Sequence, residues 1–523
     1  MDGSPTFPPA PPPRRRSQLL RHHQIRALVL TFLAYSAFHA SRKPPSIVKS
    51  VLGPDPPKST SSSSAAGWPP FDGNRGPHRL GEVDLAFLSS YSAGMYISGH
   101  AADRVDLRRF LAYGMFGSCI ATAAFGFAYW LDVHRLWFFI VIQIAGGLVQ
   151  SIGWPCVVAV VTNWFGDSSS RGLIMGIWNS NTSVGNIFGS VLASCVLNFG
   201  WGWSFMVPAV FIGLAGVLVL AFLVAHPRDL ALENMDHGVE MNPAAESAVI
   251  GDGLVESMNG ENSLVSEEIG LLQSGLTEGK HYSGTEGEEE PIGFFEAWRL
   301  PGVASYACCL FFAKLVAYTF LYWLPFYIRH TAVAGKHLTH QTSGILSTIF
   351  DIGGVLGGVS AGFISDCLGA RAITSVIFLI LSVPSLILYR TCGSISMFFN
   401  AGLMFLSGYF VNGPYSLITT AVSADLGTQG LVKGSSRALA TITAIIDGTG
   451  SIGAALGPLL TGYISTWGWN IVFPMLIFSN LLAVMCLAHI AKSELIRKKK
   501  QELSSTGIVA ESRYQMDAPI VFL

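Results

Sequence analysis

Residues 179–190 read NSNTSVGNIFGS, and residues 447–458 read DGTGSIGAALGP. Both are apolar stretches punctuated by Gly and Ser. At the same offset, GWGWSF at 200–205 falls onto GWNIVF at 468–473. A second pair of turns, GHAADR at 99–104 and GFISDC at 362–367, shares the spacing G-x-x-x-D. A chain that repeats itself in this way is built from two like units. Small residues at helical spacing let helices approach closely in lipid, where apolar burial cannot drive association.

Composition places both units in a membrane. Of 523 residues, 50% are hydrophobic and 12% charged, against roughly 25% charged in soluble domains. A net charge of -1 excludes a generally basic nucleic-acid binder. The eight cysteines are scattered and show neither zinc spacing nor a CxxC pair, so no disulfide framework is expected. His337-x-x-His340 is too small a donor set for a metal site. No Gly-Lys phosphate loop and no nucleophile constellation is visible, so the expectation is neither a pump driven by ATP nor an enzyme, with no catalytic residue, metal or cofactor.

Apolar stretches of membrane length fall at 25–43, 84–102, 110–130, 135–161, 171–198, 203–225, 301–328, 341–364, 372–391, 396–421, 436–464 and 470–491. The fold predicted is an all-α membrane protein of twelve helices, in two six-helix halves with pseudo-two-fold symmetry. The halves are expected at 25–226 and 294–492. They are flanked by a disordered Pro-rich and basic N-terminus at 1–24 and a tail at 493–523. A Gly/Ser/Glu-rich linker at 227–293 has too little apolar surface to bury a core and reads as disordered. No apolar signal core precedes the first span. Basic residues cluster at Arg14–Arg16, Arg104–Arg109, Arg371 and Arg497–Lys500. These share one side if the span count is even, which predicts cytosolic termini.

Charge inside the spans is sparse: Arg42 and Lys43 in span 1, Lys314 in span 7, Asp351 in span 8 and Asp447 in span 11. From Leu28 to Arg42 the helical rise is ~21 Å, within a hydrocarbon core of ~30 Å. A cation at that depth costs roughly 2.5–3.5 kcal/mol. Arg42 fits either an anion site in a wet cavity or a snorkelling anchor. Lys314 either faces the same cavity or pairs structurally with Asp351 or Asp447. A Lys43–Asp351 pair made in one state would be a gate; the two acids could also carry protons. Tyr35, His39, Tyr91, Gln150, Trp178, Asn179 and Tyr318 offer polar and ring surface for an organic moiety, with helix packing as the plainer reading of any lone aromatic.

Two six-helix repeats joined by a charged linker resemble the major facilitator superfamily. The segments HASRKPPSIVKS (39–50), GWPCVV (153–158), MGIWNSNTSVGNIFGS (175–190), FAKLVAYTFLYWLP (312–325), NGPYSLITTAVSADLGT (412–428) and TAIIDGTGSIGAALGPLL (443–460) resemble its organophosphate:phosphate antiporter family. Within that family they are most like the eukaryotic sugar-phosphate exchangers and plant glycerol-3-phosphate transporters. The resemblance implies exchange of an organic phosphate for inorganic phosphate by alternating access, at a site between the halves. It implies that Arg42 binds phosphate, with Lys43, Tyr35 and Gln150 beside it. It also implies that Gly99, Asp103, Arg104 and Arg108 form a cytosolic loop motif in which the acid caps a helix and the arginines pin a gate. The bacterial pattern is only partly kept: its span 7 arginine falls on Ala317, one turn from Lys314, its span 2 lysine on Met95 and its span 5 histidine on Thr182. The expected partners are a phosphorylated metabolite, phosphate and lipid, with no nucleic acid. The protein is expected to work as a monomer in the plasma membrane or an endomembrane. A proton-coupled symporter of another anion, or a receptor that does not transport, remain the alternatives.

Overall fold

The computed structural model describes residues 13–54, 67–102, 104–165, 178, 180–227, 229–230, 294–419 and 436–516. Asp103, Asn179 and nearly all of the expected linker lie outside these residues. The first half comprises α1 (Pro13–Arg42), α2 (Pro44–Leu52), α3 (Gly76–Ala102), α4 (Leu107–Phe127), α5 (Leu136–Gln150), α6 (Gly153–Phe165), α7 (Asn181–Val196) and α8 (Trp201–Phe222). The second comprises the short α9 (Phe294–Arg299), then α10 (Val303–His330), α11 (His340–Leu368), α12 (Arg371–Cys392), α13 (Met397–Leu417), α14 (Ser436–Ile464) and α15 (Trp469–Met516). With α2 continuing α1, and α6 continuing α5, the described residues supply twelve long helical segments. Eight are apolar and long enough to cross a membrane on composition alone. The other four (α1–α2, α3, α13 and α14) carry charges or strings of small polar residues. Outward faces expose Ile120, Leu214, Phe363 and Met485, apolar surface that lipid rather than water accommodates.

Span 1 does not end at residue 43. Pro44 and Pro45 lack the N–H groups that would bond the carbonyls of Ala40 and Ser41, so the helix breaks. Proline also suits the first turn of a helix, and α2 begins at Pro44 with Ile47, Val48 and Leu52 buried. Arg42 is therefore a mid-span residue at a break, not the far end of a span. At its other end α1 begins at Pro13, inside the segment expected to be disordered, where Arg, Gln and Leu favour helix. Similarly α3 begins at Gly76 rather than 84, and α15 runs on through Arg497–Lys500 to Met516.

The repeat is realised as a pair of matched crossings. A Cβ on Gly185 would lie 2.4 Å from the Ser36 carbonyl oxygen, and one on Gly189 would lie 2.5 Å from that of Ala40. So α7 packs on α1 backbone to backbone. The repeat partners Gly453 and Gly457 stand 2.0 Å and 2.4 Å, on the same measure, from the carbonyls of Phe311 and Leu315 on α10. GxxxG spacing thus does the same work in both halves.

Candidate functional site

Arg42 emerges where α1 breaks. Its Nε donates to Gln150 Oε1 at 2.6 Å, and Gln150 Nε2 donates to Ser41 Oγ at 3.1 Å. Its guanidinium lies 4.4 Å from the centre of the Tyr91 ring, a cation–π distance. Nη2 is buried with no hydrogen-bond partner among the described residues. The snorkelling reading does not fit this mid-span position. Ser41, Arg42, Gln143 and Gln150 line a cavity of about 20 Å³, room for roughly one water. Ligand pockets run to ~300 Å³ or more, so this region must open before an organic ligand can enter.

Lys314, on α10, donates to Asp447 Oδ1 at 2.6 Å and sits 5.6 Å from the centre of the Tyr415 ring. Of the alternatives open to Lys314, the pair with Asp447 is formed in this conformation. Tyr415 in turn stands 6.4 Å, ring centre to ring centre, from Tyr318. Arg42 from the first half and Lys314 from the second thus each lie against a tyrosine ring. Gly450 permits this: a Cβ there would come within 2.9 Å of Lys314 Cδ.

Lys43 and Asp351 do pair, at 3.2 Å with both side chains buried. Lys43 Nζ also reaches the Leu321 carbonyl at 3.5 Å, and Ser46 Oγ donates to that carbonyl at 2.8 Å. The break in span 1 is thus tied to α10 and α11. A third buried pair was not legible in the sequence: Lys49 Nζ contacts both oxygens of Asp84, at 2.7 and 2.6 Å. Tyr322 and Trp323 of α10 cover that ammonium with ring centres 5.0 and 5.1 Å away. A span 1 ending at 43 leaves Lys49 in a loop, whereas Pro44 and Pro45 begin α2, which carries it.

Earlier on α1, the Tyr35 ring stands 4.9 Å from His39, 5.1 Å from Trp154 and 6.4 Å from Trp178. Trp178 Nε1 donates to Thr31 Oγ1 at 3.1 Å. His39 Nδ1 is 3.2 Å from Asn186 Oδ1, and its Nε2 is buried without a partner among the described residues. Thr31, Tyr35, His39 and Arg42 recur at helical spacing and share one face. Asn186 and Trp154 were missed by sequence reasoning. Asn186 sits between Gly185 and Gly189, so its neighbours mark α7's contact face, but only the crossing brings it to His39.

The loop motif is partly visible. Gly99 ends in open space, with nothing within 4 Å of a Cβ there, while Arg104 is exposed and Arg108 half-buried. Helix α4 is capped by Asp106, whose Oδ1 accepts from the backbone N–H of Arg108 at 2.9 Å. Asp103, the acid expected to cap a helix, lies outside the described residues. In the second half, Asp366 receives Arg371 Nη1 at 2.7 Å.

The profile of the Major Facilitator Superfamily matches residues 61–436 and 335–516. The chain is 59% identical over 486 residues, 93% of its length and 94% of the relative's, to glycerol-3-phosphate transporter 5 of Arabidopsis thaliana, an assignment its name marks as provisional. It is 46% identical over 482 residues to a glucose-6-phosphate exchanger of Homo sapiens, covering 90% of this chain and 93% of that one. Among solved structures it resembles a bacterial homologue of the human lysosomal transporter Spinster, with TM-score 0.53 and 14% identity over 90% of this chain and 96% of that one.

Proposed function

The chain belongs to the Major Facilitator Superfamily, among the organophosphate:phosphate antiporters, and from that premise we propose that it exchanges an organic phosphate for inorganic phosphate at Arg42. One observation carries the reading. Lys43, Lys49 and Lys314 each hold a carboxylate, whereas Arg42 has none among the described residues, and its Nη2 is unbonded. A mid-span guanidinium left in this state calls for an anion. A phosphoryl group suits the planar fork of Arg and is common to both substrates. Lys314 supplies the second positive charge when the anion displaces Asp447, and Asp447 neutralises it otherwise. Tyr35, Tyr318, Gln150, Trp178, His39 and Asn179 complete the binding region. Lys43 and Asp351 act as the gate.

The cargo is glycerol-3-phosphate or a sugar phosphate, on the strength of the relatives' names. The acids Asp351 and Asp447 are engaged by lysines, which weakens their case as free proton carriers. The test is counterflow in proteoliposomes. Internal phosphate should accelerate uptake of labelled phosphate and of glycerol-3-phosphate. Arg42→Ala should abolish both, and Arg42→Lys should weaken half-saturation about tenfold or more by losing the bidentate fork. Normal exchange by Arg42→Ala, or uptake driven by a pH gradient with no internal phosphate, would falsify the reading.

A further inference from the structure

Two buried nitrogens on α1 lack a hydrogen-bond partner among the described residues: Arg42 Nη2 and His39 Nε2. They lie about one helical turn apart on one face. Arg42 meets the phosphoryl group in the reading above. His39 has a different chemistry, fixed by its neighbour.

Neutral imidazole has one N–H and one lone pair, and the bond made by one nitrogen sets the role of the other. His39 Nδ1 faces the amide oxygen of Asn186 at 3.2 Å. An oxygen accepts, so Nδ1 carries the hydrogen and Nε2 presents the lone pair. Both side chains are buried, His39 at 4% and Asn186 at 7% exposure. Asn186 is held in place by the crossing of α7 over α1, since the Cβ of His39 would lie 2.7 Å from a Cβ on Gly185. Adjacent to His39, the rings of Tyr35, Trp154 and Trp178 form an apolar wall.

An acceptor in this place repels the ester's phosphoryl oxygens and matches an O–H donor. Resting on the organophosphate reading, we propose that His39 is a specificity-determining residue: its Nε2 accepts a hydroxyl of the substrate's carbon skeleton while Arg42 holds the phosphoryl group. Asn186 is the positioning residue that sets the tautomer. The substrate class is a phosphate monoester bearing a hydroxyl within a few bonds of the ester, with its C–H faces against the aromatic wall. Esters without such a hydroxyl bind through the phosphoryl group alone.

The experiment uses the full chain in proteoliposomes, with labelled phosphate exchange as the readout. Unlabelled phosphate, glycerol-3-phosphate, glucose-6-phosphate and phosphoenolpyruvate, which has no hydroxyl, are the competitors. In the unaltered protein a hydroxylated ester should compete better than phosphoenolpyruvate. His39→Phe removes the acceptor and should raise the half-inhibitory concentration of the hydroxylated esters, relative to phosphate, about tenfold. Asn186→Leu, which frees the tautomer, should shift the ratio the same way by a smaller factor. His39→Gln, which can present an amide oxygen, should recover most of it. A merely structural His39 would lower all competitors together. A ratio unchanged in both His39→Phe and Asn186→Leu overturns the proposal and leaves the antiport reading standing. No phosphate exchange by the unaltered protein overturns both.

Discussion

At the scale of single residues, the decisive quantity is where each buried charge finds its counter-charge. Lys49 and Asp84 are both nearly inaccessible, at 1% and 0% exposure, and each holds the other. Such a pair adds little net stability, yet breaking it leaves one charge uncompensated, at a cost of about 3–5 kcal/mol. Asp84→Asn should therefore lower the thermal unfolding temperature of the purified protein sharply. The double change Lys49→Met with Asp84→Leu should restore most of the loss. If Asp84→Asn alone unfolds at the original temperature, the pair is not holding α2 to α3. Arg42, Lys43, Lys314, Asp351 and Asp447 were all legible as intramembrane charges, because charge in an apolar run stands out. Lys43–Asp351 and Lys314–Asp447 could be named there as candidate pairs but not decided, since Lys43 and Asp351 lie on different halves of the chain and no local spacing joins either pair.

At the scale of helices, the glycine crossings position the site. Gly189 lets α7 lie on the Ala40 backbone, beside the residues that end α1. Gly189→Val would place two methyl groups into that backbone, an overpacking change typically costing 1–3 kcal/mol, and more where neither side can yield. The expected result is a lower melting temperature and reduced exchange. Gly402→Ala is the control: nothing lies within 4 Å of a Cβ there, and helix propensity favours Ala, so its melting temperature should hold or rise. Equal melting of both variants would remove the crossing from the account of the site. GxxxG and the repeat were readable from the sequence. The proline break was readable as an interruption, but its outcome was not, because Pro ends one helix and begins the next by the same missing N–H.

At the scale of the molecule, contacts between the halves gather where α2, the start of α3 and the end of α7 meet α10, α11 and α14 of the second half. Asn198 Nδ2 donates to Gln341 Oε1 at 2.8 Å, His340 Nδ1 is 3.0 Å from Ser50 Oγ, and Tyr463 donates to Glu82 Oε1 at 2.9 Å. The Lys43–Asp351 pair stands on the inner side of this layer. Alternating access requires the layer to separate in each cycle. With the native cysteines replaced, Asn198→Cys and Gln341→Cys should crosslink under mild oxidation. Exchange should stop on oxidation and return on reduction. Undiminished exchange by the crosslinked protein would mean that this end of the interface does not open during transport.

The sequence by itself determined the membrane class, the two-fold repeat, the number of long helices and the identity of five charges within them. Each of these is written in local composition or in a motif that recurs, and helix formation in lipid needs nothing beyond its own segment. Tertiary structure alone decided that Arg42 lacks an acid while three lysines have one, that Lys49 and Asp84 are buried together, and that Asn186 fixes the histidine one turn from Arg42. Those facts depend on which helix faces lie opposite one another, and the helix crossings join residues from 35 to 308 positions apart.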